Sequence, residues 1–202
     1  MNSEKLKYFE LAKKLNSAHG EELLRKRAHF RGNVNSCSLI SLDSETPEIG
    51  ESGITESNAK TKLSKFNPRK PKRKTPEKSL QSWIILSALR NNYILPFGKN
   101  LTFITSELAI KRVVNDILAI NENNDLVVIE LKTKRVNEVK DQALKFKDLI
   151  WEDKEFFGQL TELMAERPWS GKIKCAVVWP KSGGRSQRIS EKHSDIEEYQ
   201  YS

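Results

Sequence analysis

An uninterrupted apolar run in the second half of the chain constrains the fold most strongly. Residues Leu126 to Ile129 are apolar at every position, so a strand formed there buries both of its faces. Strands of that kind lie inside sheets that helices cover on each side. The run predicts a central strand over 126–132 in an α/β domain.

Helices and strands are predicted to alternate around this strand. Thr75 is a favoured N-cap and Pro76 a favoured first-turn residue, which predicts a helix over 76–91. The same kinds of pattern predict strands over 101–105, 112–120 and 172–179, a turn over 121–125, and a helix over 138–165 with a kink near Gly158. The order helix, three strands, helix, strand indicates a mixed sheet flanked by helices. We expect the four Trp residues to lie in the core.

The positive charge of the chain is concentrated near its start. The net charge is +8; residues 1–74 hold 16 Lys and Arg against 9 Asp and Glu, whereas residues 75–202 hold 19 against 18. Such asymmetry indicates an anionic partner, of which nucleic acid is the commonest. A solvated tail without a partner is the alternative.

Residues 1–31 are predicted to form a short helical segment. Apolar residues recur at roughly helical spacing between residues 4 and 30, and Gly20 interrupts them, which indicates one or two amphipathic helices. Two interpretations stay open. The segment is either a partner-binding helix that supports a homodimer or larger assembly, or a marginal helix that packs on the main domain or frays in solution.

Residues 32–74 are predicted to be a disordered linker, because they are polar and hold few large apolar side chains. The end of the linker carries eight cations and no acid: Lys60, Lys62, Lys65, Arg69, Lys70, Lys72, Arg73 and Lys74. This stretch is typical of an extended arm that follows a phosphate backbone. A nuclear-localisation-like run and a solubilising linker are the alternatives.

Cysteine usage and hydropathy exclude several classes of protein. Only Cys37 and Cys175 are present, without His or Cys neighbours at metal-ligand spacing, so neither a disulfide framework nor a zinc site is predicted. No apolar run approaches the length of a membrane span, and the first ten residues are too charged for a signal peptide. We expect an intracellular, soluble protein without a membrane partner, in the cytoplasm or, in a eukaryote, the nucleus.

Two acids and a lysine are the candidate chemical groups. Glu130 and Lys132 share one face of the central strand because side chains alternate, and Glu130 ends an apolar run where an unpaired carboxylate is costly. Asp116 lies in a second apolar strand. If the turn over 121–125 places Ile120 opposite Leu126, Asp116 lies opposite Glu130 on the same face.

Converging carboxylates and a cation are what metal-assisted hydrolysis needs. Oxygen ligands suit Mg²⁺, and a lysine supplies positive charge near the attacking water. The alternative for Asp116 is a structural role at a turn, which its apolar neighbours make the weaker interpretation.

The motif and the element order together resemble one nuclease superfamily. In chain order the motif comprises a helix carrying Glu77, the pair Asn115-Asp116, a 13-residue gap, the triplet Glu130-Leu131-Lys132 and a helix carrying Gln142. This arrangement resembles the PD-(D/E)XK superfamily, whose restriction-endonuclease-like core has the same order helix, three strands, helix, strand. The likeness covers about residues 75–180.

The resemblance implies a metal centre in the sheet. Asp116, Glu130 and the backbone carbonyl of Leu131 would bind Mg²⁺, for which Mn²⁺ would substitute. Lys132 would orient or activate the water.

The resemblance also implies roles for the flanking helices. Glu77 would lie near the metal, with Gln81 one turn further along as the alternative. Gln142 and Phe146 are similar to a Q-x-x-x-Y motif that helps to position DNA, although Phe146 replaces its tyrosine. Asn115 replaces the proline of the family's motif. These departures bear on the subfamily more than on catalysis.

The sequence therefore predicts a Mg²⁺-dependent deoxyribonuclease domain over residues 75–202, with endonuclease favoured over exonuclease. Lys134 and Arg135, just beyond the triplet, join the basic arm in the predicted DNA-binding set. The alternatives are a catalytically silent DNA-binding or assembly module of the same fold, and an enzyme that acts on RNA.

Overall fold

The computed structural model describes residues 3–43, 52–67, 75–97, 100–133, 139–180 and 196–201. The chain divides into two compact units, Met1–Ile94 and Leu95–Ser202. The first unit contains α1 (Ser3–Ala18), α2 (Gly20–Lys26), β1 (Ala28–Asn33), β2 (Ser36–Ser41), α3 (Ala59–Lys65) and α4 (Pro76–Arg90). The second contains β3 (Thr102–Ile110), β4 (Val113–Ile120), β5 (Leu126–Leu131), α5 (Val139–Glu152), α6 (Lys154–Ala165), β6 (Ile173–Pro180) and β7 (Ile196–Tyr201).

A hairpin and the helix α1 form the centre of the first unit. Strands β1 and β2 pair antiparallel, and α1 packs against both of them. The approach is close at Gly32, where an added Cβ would lie 2.7 Å from the Cα of Phe9. Leu15 and Leu23 are buried in the same core. The helices at the start of the chain are thus built into a folded unit, and the interpretation of a frayed helix is wrong.

The prediction that residues 32–74 are disordered is wrong for much of that range. Strand β2 and helix α3 fall inside it, and Cys37, Leu39 and Leu63 are fully buried. Lys26 reinforces α3, since its Nζ donates to the carbonyls of Leu63 and Ser64 at 2.6 and 2.8 Å. The polar composition concealed a few apolar side chains that suffice to join an existing core. Residues 44–51 and 68–74 lie outside the described residues.

A five-stranded mixed sheet, in the order β3-β4-β5-β6-β7, forms the second unit. Strands β3, β4 and β5 pair antiparallel, and β6 and β7 continue the sheet in parallel. Helix α5 packs on β4, β5 and β6, while α6 contacts β3. The predicted mixed sheet flanked by helices is confirmed, and the elements follow one another along the chain in the predicted order. Every residue of β5 is buried, as expected of a central strand.

Helix α4 begins as predicted, because the side chain of Thr75 accepts a hydrogen bond from the backbone N–H of Lys78 at 3.3 Å. The chain, however, divides between Ile94 and Leu95. Helix α4 therefore belongs to the first unit, where it contacts α2, whereas the predicted boundary at residue 75 placed it at the start of the nuclease domain.

Other elements differ from the prediction in the second unit. Strand β3 extends to Ile110, beyond the predicted 101–105, and β7 was not predicted at all. The predicted long helix is broken at Asp153, whose backbone leaves the helical region (φ −130°, ψ 53°), and not kinked at Gly158. Among the Trp residues, Trp179 lies in the core, but Trp83 and Trp151 are 52% and 40% exposed.

Both cysteines are free, as expected, and both are buried. Among the described residues, no helix is long and apolar enough to cross a membrane.

Candidate active site

The pairing of β4 with β5 builds the candidate site. Ile120 lies opposite Leu126, and the register continues through Ile117 opposite Ile129. This is the predicted register, and one further step along it places Asp116 opposite Glu130. Because directly opposed residues share a face of the sheet, both acids project to the same side.

At the site, side chains of β4 form hydrogen bonds with β5. The backbone N–H of Leu131 donates to Oδ2 of Asp116 at 2.8 Å. The Nδ2 of Asn115 donates to the carbonyl of Ile129 at 3.1 Å and to Oε1 of Glu130 at 3.3 Å. The sequence folds this way because short Asx side chains reach the neighbouring strand's backbone. Both acids are thereby held in fixed positions.

Glu130 is buried and lies next to a second acid. Its side chain is only 2% exposed, and a hydrogen bond joins it to Asp116. Burial first, and then the negative charge of Asp116, raise the pKa of Glu130 to about 8. Two carboxyl groups this close do not both stay ionised without a cation between them. A shared proton or a bound cation is therefore needed at this pair.

Lys132 and Asn115 act on Glu130 in the opposite direction. The hydrogen bond from Asn115, and then the positive charge of Lys132, lower the pKa of Glu130. Lys132 is half-buried, and its backbone N–H donates to the carbonyl of Val178 in β6 at 2.9 Å. The two acids, Asn115 and the lysine therefore form one electrostatic group at the end of β5.

The donor set fits a hard divalent cation. Carboxylate oxygens are the protein ligands that Mg²⁺ and Mn²⁺ prefer, and the opposed carboxyl groups of Asp116 and Glu130 would be relieved of mutual repulsion by a cation. Within the described ranges, no group of three or more His, Cys, Asp and Glu side chains is placed to hold a metal ion. The carbonyl of Leu131 as a further ligand stays a prediction.

Glu107 is a third acid that the sequence did not bring to attention. Strand β3 pairs with β4 so that Ser106 lies opposite Ile117 and Leu108 opposite Asn115, which sets Glu107 against Asp116. Its φ of 51° is unusual within a strand. The predicted strand ended at residue 105, so Glu107 was not recognised as a residue of the sheet. The apolar residues Leu108 to Ile110 just beyond Glu107 were the signal that could have extended the strand and found it.

The other predicted site residues are distributed over both units. Glu77 and Gln81 lie on α4 in the first unit, where Gln81 accepts a hydrogen bond from Lys78 at 3.2 Å. Gln142 is exposed on α5, while Phe146 is fully buried against Phe157 and so belongs to the core. The roles of Glu77, Gln81 and Gln142 stay predictions.

The predicted DNA-binding cations are described only in part. Lys60 and Lys65 are exposed and Lys62 is half-buried, all on α3. These three residues belong to a helix, so the prediction that they form part of an extended arm is wrong. The other predicted cations lie outside the described residues: Arg69, Lys70, Lys72, Arg73, Lys74, Lys134 and Arg135.

Comparisons with known proteins add a distant likeness. No protein-family model matches the chain, and no curated protein matches it. A solved repair endonuclease from Pyrococcus abyssi matches 51% of this chain at 16% identity with a TM-score of 0.37, over 39% of its own length. The EndoMS–dsDNA2 complex matches 52% of this chain at 18% identity with a TM-score of 0.38, over 38% of that chain. Since this chain spans about two fifths of those proteins, the functional argument rests on the site itself.

Proposed function

We propose that this protein is a divalent-metal-dependent nuclease that hydrolyses phosphodiester bonds of DNA. One observation carries the proposal: the side chains of Asp116 and Glu130 meet across β4 and β5, with the charge of Lys132 acting on the same pair. An acid pair of this kind, where the pairing of two interior strands of a helix-flanked sheet ends, suits phosphoryl chemistry assisted by a cation.

Asp116 and Glu130 bind the cation in this proposal, with Mg²⁺ as the expected ion and Mn²⁺ as a substitute. When bound, the ion supplies Lewis-acid polarisation of the phosphate and lowers the pKa of the attacking water. Asp116 is fixed by the N–H of Leu131 and Glu130 by Asn115. The ligands are therefore positioned before the ion arrives, which reduces the entropy cost of binding it.

Lys132 holds positive charge beside Glu130. Its role in the proposal is to orient the water or to stabilise negative charge that develops on the phosphate, and not to bind the metal. Because charge develops during the reaction, the interaction of Lys132 contributes more in the transition state than in the ground state.

DNA is the proposed substrate because the charge of the chain favours a polyanion. The exposed cations Lys60 and Lys65 add sequence-independent affinity in this proposal, together with Lys134 and Arg135. An endonuclease is favoured over an exonuclease.

The test is a cleavage assay on single-stranded, double-stranded and branched DNA and on RNA, with and without Mg²⁺. The wild type should cleave DNA only with the metal, and Asp116→Asn should not cleave. Asp148→Asn makes the same change at an exposed position on α5 and should cleave normally. Metal-independent cleavage, or full activity of Asp116→Asn, would refute the proposal.

A catalytically silent DNA-binding or assembly module is the second candidate. It is favoured by the hydrogen bond between Asp116 and Glu130, because a shared proton alone satisfies this pair and no metal is then required. In that case DNA binding would be unaffected by Mg²⁺ and by Asp116→Asn, and no substrate would be cut. An assembly role for residues 1–31 would appear as a concentration-dependent mass in solution.

A further inference from the structure

The two-residue turn between β3 and β4 carries a basic pair in an unfavourable conformation. Lys111 and Arg112 have φ values of 48° and 69°, and they connect the paired residues Ile110 and Val113. Positive φ at both central positions is the requirement of a type I′ turn, which Asn-Gly fills with little steric conflict. Here two long cations occupy it, and both are exposed.

This turn lies at the end of β4 that holds the candidate site. Arg112 precedes Asp116 by four residues, or about 13 Å along a strand. Val114 lies between them on the face of Asp116, because side chains alternate, and it is 43% exposed. The surface that leads from the turn to Asp116 is therefore open to solvent.

Local contacts do not account for the choice of residues. Lys111 forms an ion pair with Glu152, but these two side chains are 69% and 54% exposed. Ion pairs between exposed side chains contribute little to stability. A turn that keeps two strained cations where Asn-Gly would fit is better explained by binding than by folding.

We propose that Lys111 and Arg112 bind the phosphate backbone of duplex DNA beside the cleavage site. This inference rests on the proposed function, because it assigns the turn to the substrate of that site. Arg112 offers a planar fork of donors for phosphate oxygens, and Lys111 offers a point charge. Since phosphates follow one another every 3.4 Å along the axis of each strand, a contact about 13 Å away falls roughly four nucleotides from the cleaved bond.

The test is the double variant K111N/R112G, which removes both charges and gives the turn its preferred residues. We expect a melting temperature at or above that of the wild type, together with weaker binding of duplex DNA. The slope of log Kd against log salt should fall by about 1.8, since each phosphate contact contributes about 0.9. The rise in Kd between 50 and 200 mM salt should then shrink on the order of tenfold.

Two further variants serve as controls. K154N/K172N removes two exposed charges elsewhere in the second unit and should leave the salt slope nearer the wild-type value. Glu152→Gln releases Lys111 from its ion pair and should tighten DNA binding. Equal salt slopes for K111N/R112G and K154N/K172N would overturn the proposal.

The assay also separates this proposal from the proposed function. If the wild type binds duplex DNA with a slope that depends on the turn but cleaves nothing, the phosphate contact is supported and the nuclease assignment fails. If the wild type cleaves DNA while K111N/R112G binds as the wild type does, only the turn proposal fails. Absence of duplex binding by the wild type would overturn it as well.

Discussion

His29 in the first unit and Glu130 in the second are both buried titratable side chains, and burial shifts their pKa values in opposite directions. In the first unit, burial and then the charge of Arg31 lower the pKa of His29 to about 3. In the second, burial and the charge of Asp116 raise the pKa of Glu130. His29 is thus neutral across the physiological range, whereas Glu130 titrates close to neutral pH.

The difference makes Glu130, and not His29, the candidate for a functional group. A neutral imidazole can stay buried without a counter-ion, so the His29 site needs no bound ion. Glu130 faces another acid, a lysine and an amide at once, and its ionised form is favoured only by the last two. Groups whose charge depends on a bound partner mark functional sites more often than neutral buried groups do.

Among variants that keep both proposed metal ligands, the largest expected effect comes from removing the positive charge of Lys132. Lys132→Ala should lower the cleavage rate by about 100- to 1,000-fold, the usual cost of losing one charge-stabilising donor. Mg²⁺ and DNA affinities should stay close to those of the wild type, because the interaction belongs mainly to the transition state.

Single-turnover cleavage with saturating metal measures this effect, and DNA binding is measured separately. Lys145→Ala, at an exposed position on α5, is the matched control. Near-normal cleavage by Lys132→Ala would remove the lysine from the mechanism and weaken the distinction between the two units.

The stability of the metal-free protein should fall at high pH because of Glu130. A folded-state pKa of about 8 against an ordinary value of 4.5 means that the folded protein keeps a proton which the unfolded chain releases. Metal-free stability should therefore be greatest below about pH 4.5 as far as this group is concerned, and fall as the pH rises towards 8.

Glu130→Gln should abolish this loss, raising metal-free stability at pH 9 by roughly a few kcal/mol relative to the wild type. Melting temperatures at pH 5 and pH 9 measure it, with Glu162→Gln on the exposed surface of α6 as the control. Adding Mg²⁺ at pH 9 should stabilise the wild type and not Glu130→Gln. If the melting temperature of Glu130→Gln fell between pH 5 and pH 9 as much as that of the wild type, the loss of stability would not come from Glu130.

Because of His29, stability should also fall at acid pH. Its folded-state pKa of about 3 lies below the ordinary 6.5, so the unfolded chain takes up a proton that the folded protein refuses. Stability should fall as the pH drops from about 6.5 towards 3. His29→Gln should flatten this acid limb, although replacing a 4% exposed side chain lowers stability at pH 7.

Hydrogen exchange of the β1 amides between pH 7 and pH 4 measures this loss of stability in the first unit. His19 is a suitable control, because it is not fully buried and His19→Gln should keep the acid limb. Equal acid sensitivity of His29→Gln and the wild type would assign the limb to other groups.

The sequence predicted the second unit better than the first, for a physical reason. The apolar run of β5 and the turn after Ile120 specify burial and register locally, which was enough to bring Asp116 to Glu130. The first unit depends on sparse contacts between distant segments, such as Gly32 against Phe9. A polar stretch does not reveal these contacts, because composition records the average residue and not the few that are buried.

The same limit applies within the site. Glu107 lies opposite Asp116 only because β3 continues past residue 105 and shifts its register after Phe103. A bulge in one strand depends on its neighbours, so local pattern did not predict it. The hydrogen bonds of Asn115 were equally hidden, since a residue noted as a departure from a proline proved to contact Glu130 of the candidate site.

The smallest expected effect concerns Asn115, whose Nδ2 favours the ionised form of Glu130. Its Oδ1 is buried without a hydrogen-bond partner among the described residues, so Asn115→Ala loses two hydrogen bonds but also removes an unsatisfied atom. Stability should fall by about 1 to 2 kcal/mol, because the buried carbonyl of Ile129 loses its donor. The pKa of Glu130 should rise further, and the Mg²⁺ concentration for half-maximal cleavage at pH 7 should increase about fivefold, since one hydrogen bond contributes about 1 kcal/mol.

This effect should depend on pH, which distinguishes positioning of Glu130 from a general loss of packing. At pH 9 Glu130 is largely ionised in both proteins, so the difference in Mg²⁺ requirement should narrow. Asn123→Ala, in the exposed turn after β4, should match the wild type at both pH values. A difference of the same size at pH 7 and pH 9 would mean that Asn115 supports the strands and does not adjust the charge of Glu130.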